Sequence, residues 1–285
     1  MNSNRILAIA LLFLVILAPV SALEIGTYFE LSNLDFGRNR ASTATNLPGD
    51  AYLWGIRAVG SERLADQLSL NLEFASDPIL RNIGYTLLTY DDEFFSIRLG
   101  PFFGILNAPA TILQSGLSTT VTLFVPGIAV FSLRSDDSLG GRLVVVGDYF
   151  QEQSELSVGF FVPNAIPTVY VRSKRYTSKT TEGEMVETFT AFGLETDIFQ
   201  KNIPYRAALD FAYQGVSRSF VAADTSTHSY GALVLGTDAS VDFERFTISA
   251  ELETSIYTFG RDDLIGEVSA DRFLFRLSTG VSYRF

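Results

Sequence analysis

Towards the end of the chain Phe273, Phe275, Leu277, Thr279, Val281, Tyr283 and Phe285 occupy every second position, with Arg272, Arg276, Ser278, Gly280, Ser282 and Arg284 between them. A period of two puts the apolar residues on one face of a β-strand and the polar ones on the other. A helix would scatter the aromatics around its circumference. The pattern recurs: Leu68, Leu70, Leu72 and Phe74 alternate with Ser69, Asn71 and Glu73, and Leu156, Val158, Phe160 and Val162 alternate with Glu155, Ser157 and Gly159. Aromatic content of 13 %, with 24 Phe and 12 Tyr, suits pleated surfaces.

Strand patterns are predicted near 24–34, 50–60, 67–76, 79–90, 94–106, 117–134, 141–150, 154–163, 166–177, 186–198, 205–215, 229–243, 246–259 and 270–285. The count is about fourteen, with twelve as the alternative. The segment 117–134 contains Pro126-Gly127 and reads either as one bulged strand or as two short ones. No repeat, linker or second domain interrupts residues 23–285.

Residues 1–22 are set apart. Ile6 to Ala18 is an apolar run that follows Arg5 and ends at Pro19, before Val20-Ser21-Ala22. It falls short of the roughly 20 residues a spanning helix needs. It has the three regions of a secretory signal peptide, with cleavage expected after Ala22; an uncleaved anchor is the other reading. With no cysteine in the chain, lipoprotein attachment, a disulfide framework and thiolate chemistry are excluded. A net charge of −11 argues against nucleic acid as a partner, since phosphate binding needs a basic footprint.

A soluble sandwich also alternates, so the filling of the second face decides between water and lipid. The polar face carries Glu30, Arg57, Glu73, Arg98, Arg142, Glu155, Arg172, Glu187, Glu195, Arg206, Asp210, Glu251, Glu253, Arg272 and Arg276, interleaved with Gly, Ser and Thr. One apolar set per strand, no helical pattern to cover it, and aromatics near strand ends (Tyr28, Phe29, Tyr52, Trp54, Phe94, Phe95, Phe102, Phe103, Tyr149, Phe150) favour an all-β, up-and-down transmembrane barrel. The charged residues are then expected to line its lumen. Long polar connections at 37–49, 107–116, 178–185, 216–228 and 260–269 fall at one end, and mostly shorter ones at the other.

The closing run Phe-Leu-Phe-Arg-Leu-Ser-Thr-Gly-Val-Ser-Tyr-Arg-Phe resembles the C-terminal targeting strand of Gram-negative outer-membrane proteins of the porin-like class, through Phe273, Phe275, Leu277, Val281, Tyr283 and Phe285. The resemblance spans about a dozen residues. It implies residence in outer-membrane lipid and a transient partner in the barrel-assembly machinery.

Catalytic, cofactor and metal constellations are not expected. The single histidine, His228, lies in a predicted polar loop, with Ser217 and Ser219 its local nucleophile candidates. The pairs Glu251/Glu253 and Glu195/Asp197 repeat the inward face, and Asp91-Asp92 and Asp262-Asp263 read as solvated turns. Three function classes follow: first a passive pore or transporter for small solutes, then a non-conducting barrel acting through its outer loops, and distantly a hydrolase. Apolar inward residues Phe124, Ile128, Val130, Val144, Val146 and Phe150 offer a track for hydrophobic cargo or pack a bend near Pro126.

Overall fold

The computed structural model describes residues 22–32, 52–75, 82–107, 111–143, 148–180, 183–199, 203–221, 226–259 and 275–285. Residues 1–21 of the expected leader and the readings of Arg272, Phe273, Val144, Val146 and Asp262-Asp263 lie outside these residues.

Fourteen strands follow one another: β1 (Ala22–Ser32), β2 (Tyr52–Ala65), β3 (Leu68–Ala75), β4 (Asn82–Asp91), β5 (Phe95–Asn107), β6 (Thr111–Val125), β7 (Ala129–Leu143), β8 (Asp148–Phe160), β9 (Ala165–Thr180), β10 (Gly183–Phe199), β11 (Tyr205–Val221), β12 (Ser226–Phe243), β13 (Phe246–Phe259) and β14 (Phe275–Arg284). Each pairs antiparallel with its sequence neighbours, and β1 pairs with β14 from Glu24↔Arg284 to Ser32↔Arg276. The sheet is a closed up-and-down barrel, and no helix occurs among the described residues. Closure satisfies edge hydrogen bonds that an open sheet would leave bare.

Register converts the period of two into two surfaces. One row runs Phe131, Val158, Val169, Leu194, Phe211 and Leu235 across six strands, and the next runs Leu133, Leu156, Val171, Phe192, Tyr213 and Leu233. Most of these side chains are exposed on the outside of the barrel. An apolar surface this continuous is far larger than water tolerates on a monomer. It matches the lipid-facing belt of a transmembrane barrel, the arrangement in which backbone polar groups are all paired.

The belt ends within two rows. Ser135, Ser154, Ser173 and Thr190 form the next outward row, and Asp137, Glu152, Arg175 and Thr188 the one after it. The strands therefore continue beyond the lipid with both faces polar. At the opposite end, where turns are short, Tyr90, Phe94, Phe160, Phe161, Tyr205, Phe243 and Phe246 are exposed in an aromatic girdle. Tyr283 joins it, its ring edge-on to Phe246 and to Phe285 at 4.9 Å each, and its hydroxyl accepts from Arg245 Nη1 at 3.2 Å. Amphipathic rings suit this interface.

Several strand bounds differ from the sequence reading. The segment 117–134 belongs to two strands, because Pro126-Gly127 makes a reverse turn: Ile128 N–H donates to the Val125 carbonyl at 2.9 Å and Gly127 has φ 71°. Proline presets the first corner and glycine accepts the left-handed second one. Residues 135–140, read as a turn, continue β7, and 151–153, read as a connection, lie inside β8. The barrel still has fourteen strands because these two surplus breaks are offset by two connections that fall inside predicted strands, the Pro126-Gly127 turn within 117–134 and the passage from β7 to β8 within 141–150.

Two aromatics expected at an interface point inward. Tyr28 lies over Gly55, its partner across β1 and β2, and Phe102 lies over Gly116 and is 0 % exposed. Each glycine lets a ring lie flat against the wall.

The β12–β13 turn offers a stability test. Glu244 has φ 48°, where a Cβ costs about 1–2 kcal/mol. Glu244→Gly is expected to raise stability by about 1 kcal/mol, read as a later urea midpoint for the vesicle-inserted barrel. An unchanged or earlier midpoint would show that Glu244 makes a compensating contact.

Candidate functional site

The inward positions gather the charges. Beginning at β2, Arg57 sits opposite Gly26 and Ala75, is exposed, and has no partner among the described residues. Arg98 on β5 pairs with Glu73 on β3 at 3.1 Å. On β7, Arg134 holds Asp136 at 2.6 Å, and Asp136, only 1 % exposed, also accepts Ser118 Oγ at 2.5 Å. Arg172 on β9 pairs with Glu155 on β8 at 2.6 Å and lies over the Tyr170 ring at 5.0 Å. The Arg98–Glu73 and Arg172–Glu155 pairs are partly exposed, so each adds little to stability while fixing where its guanidinium sits, whereas Asp136 is a buried carboxylate that relies on Arg134 and Ser118 to answer its charge.

From β10 to β13 the wall turns acidic. Glu195 on β10 stands directly opposite Asp210 on β11, and Asp238 on β12 directly opposite Glu251 on β13. Asp197 lies two positions beyond Glu195, and Glu253 two beyond Glu251. Directly opposed like charges disfavour one another. Local donors offset part of that repulsion. Tyr170 Oη donates to Asp210 at 2.9 Å, and Gln214 Nε2 donates to Glu253 at 3.0 Å. Arg276 on β14 pairs with Glu251 Oε1 at 3.0 Å and lies 3.8 Å from Glu253 Oε2.

Where the acidic wall meets β14, β1 and β2 there is a cavity of about 450 Å³. Its lining is Glu24, Gly26, Thr27, Tyr28, Arg57, Val59, Ser240, Thr247, Ser249, Glu251, Arg276, Ser278, Gly280, Val281 and Ser282. Small residues make the room: Ser249 and Gly280 face each other across β13 and β14, and Thr247, Ser282 and Gly26 form the neighbouring row across β13, β14 and β1. At its short-turn rim Glu24 accepts Ser282 Oγ at 2.6 Å and Arg284 Nε at 3.1 Å, while Arg284 also reaches Asp242 at 3.1 Å.

The remaining sequence candidates are placed as follows. Glu30 pairs in register with Ser278 and Leu53, and Glu187 with Tyr176 and Arg218. Arg206 is exposed near the short-turn end, opposite Phe199 and Ser240. Arg142 lies beyond a register shift, opposite Leu113 and Asp148. His228, expected in a loop, is in β12 opposite Arg218, and β11 and β12 both extend into that expected loop. Ser217 and Ser219 are one position out of phase with that pair. Of the apolar track, Phe124 and Val130 are paired across β6 and β7, whereas Ile128 is in the exposed turn.

Besides Glu24 and Asp242 at the short-turn rim, the inward acids outside the candidate set include Asp238 and Asp136. Asp238 alternates with Gly236 and Ser240, a polar period-two run that carries the signal. Asp136 continues Ser132 and Arg134, but the run was cut by reading 135–140 as a turn.

No protein-family model matches the chain, and no curated protein matches it in sequence. Among solved structures it is similar to a loop L8 deletion mutant of OmpT, an outer membrane protein of Vibrio cholerae, at 8 % identity and TM-score 0.46, over 93 % of this chain and 99 % of that one. It is similar to an outer membrane channel from Pseudomonas putida F1, at 9 % identity and TM-score 0.48, over 94 % and 96 %. A mutant of the TodX monoaromatic hydrocarbon channel matches at 7 % identity and TM-score 0.45, over 92 % and 88 %.

Proposed function

We propose that the chain is an outer-membrane channel through which small hydrophilic solutes diffuse, without catalysis. One observation carries this reading: inside a closed barrel, inward Arg57, Asp197, Arg206 and Asp238 remain exposed, so water has access to the half of the lumen nearer the short turns. Mixed charge with hydroxyls between is how an aqueous conduit is lined. The short-turn end is then periplasmic, and β14 with Phe285 is the strand the barrel-assembly machinery recognises.

Planar-bilayer conductance of the refolded chain, after heat-modifiable gel migration confirms folding, tests the proposal. Steady, salt-dependent conductance with a reversal potential favouring cations is expected, because carboxylates dominate β10–β13. A preference for anions would overturn the role of that wall. A folded barrel that conducts nothing would overturn the channel. It would favour the second reading, a closed barrel acting through its outer connections, which has its own support in the burial of inward Phe102, Phe189 and Val234.

A further inference from the structure

The lumen cavity sets unlike charges on its two sides. On one side is Arg57, exposed and without a partner among the described residues. On the other is Glu251, whose Oε1 is engaged by Arg276, and at the cavity's edge, next to the lining, is exposed Asp238, directly across the strand pair from Glu251 and two positions from lining Ser240. The floor between them is built of hydroxyls and glycines, among them Gly26, Gly280 and Ser249. Three strand spacings separate β2 from β13, roughly 14 Å at the backbone. Inward side chains as long as Arg and Glu narrow that gap to the length of a small solute.

Arg276 answers Glu251 but not Asp238, so a lone anion would satisfy Arg57 and leave Asp238 without a cation among the described residues, facing a carboxylate across the strand pair. A lone cation would do the reverse. We propose that the cavity is a binding subsite for small zwitterions, amino acids or short peptides, with the carboxylate on Arg57 and the ammonium on the Asp238–Glu251 pair. Charge-assisted hydrogen bonds at both ends supply the recognition, and the hydroxyl floor replaces the water a peptide group loses. This deepens the channel reading and rests on it for access, but the binding itself is measured separately.

The test is calorimetric titration of the folded, micelle-inserted barrel with glycylglycine, with N-acetyl-glycylglycine, which keeps only the carboxylate, and with glycylglycinamide, which keeps only the ammonium. Glycylglycine is expected to bind about tenfold more tightly than either capped form. Arg57→Gln should abolish its advantage over glycylglycinamide. Asp238→Asn should abolish its advantage over N-acetyl-glycylglycine while leaving the Arg276–Glu251 pair intact; heat-modifiable migration verifies that each variant folds. Equal binding of the three peptides, or unchanged binding in both variants, overturns the subsite. If the barrel conducts salt yet shows no such discrimination, the subsite fails and the channel stands. If it binds glycylglycine in the expected order yet conducts nothing, the channel fails and the subsite stands.

Discussion

Leu194→Arg is expected to cost about 2–4 kcal/mol of barrel stability in bilayers, whereas Glu195→Gln, one residue away, is expected to change it by about 0.5 kcal/mol or less. Leu194 is 47 % exposed and sits in the apolar outward row between Val169 and Phe211. A guanidinium there must be carried into hydrocarbon or drawn to the interface by distorting the strand. Glu195 faces the lumen, where it stands opposite Asp210, so neutralising it removes a repulsion and exposes nothing to lipid. The measurement is urea unfolding of the vesicle-inserted barrel, followed by gel migration, for both variants. A tolerated Leu194→Arg with a damaging Glu195→Gln would invert the two faces and make the barrel a soluble one with an apolar interior.

The alternation that assigns Leu194 and Glu195 to opposite faces is legible in the sequence, and so is the architecture. A strand within the belt meets lipid on one side and polar neighbours on the other, so β3, the inner half of β8 and β14 show clean alternation. Past Ser154, Ser173 and Thr190 neither face meets lipid, and the alternation disappears although the hydrogen-bonded ladder continues. This is why β9 to β12 reach further than hydropathy indicates, into stretches read as loops at 178–185 and 216–228. The site was legible in part for the same reason. Inward residues inside the belt, such as Arg98, Arg172 and Glu253, follow from phase alone. Asp136 and Asp238 needed correct strand bounds or attention to small polar neighbours. The cavity depends on which strands become adjacent: Arg57 and Glu251 meet around one space only because β1 closes on β14. Neither face of a single strand encodes that meeting. The inward turn of Tyr28 and Phe102 was hidden too, because an aromatic at a strand end fits an interface girdle as well as a glycine gap.

A second large effect is expected where the wall departs from regular pairing. Between β4 and β5 the register runs through Tyr85↔Phe102 and resumes at Leu88↔Leu99, skipping Gly100 and Pro101. Pro101 has no N–H to give the ladder, and its ring points outward, where it is exposed. The backbone closes the gap by approach: a Cβ built on buried Gly100 would overlap the Thr86 carbonyl oxygen and press on Leu87 Cα. These are backbone atoms held on their far side by pairing with β3, where Thr86 meets Leu72 and Leu87 meets Asn71, so no rotamer change relieves the clash. Gly100→Val is therefore expected to cost about 3 kcal/mol or more and to leave no heat-modifiable folded species. Gly215→Ala is the matched control, because its added carbon would come no closer than 3.5 Å to the Tyr213 ring, an ordinary contact. That variant should fold with a urea midpoint close to the parent's. Normal folding of Gly100→Val would mean that β4 and β5 can separate at this point, and the interrupted ladder would then be a movable part of the wall instead of its tightest approach.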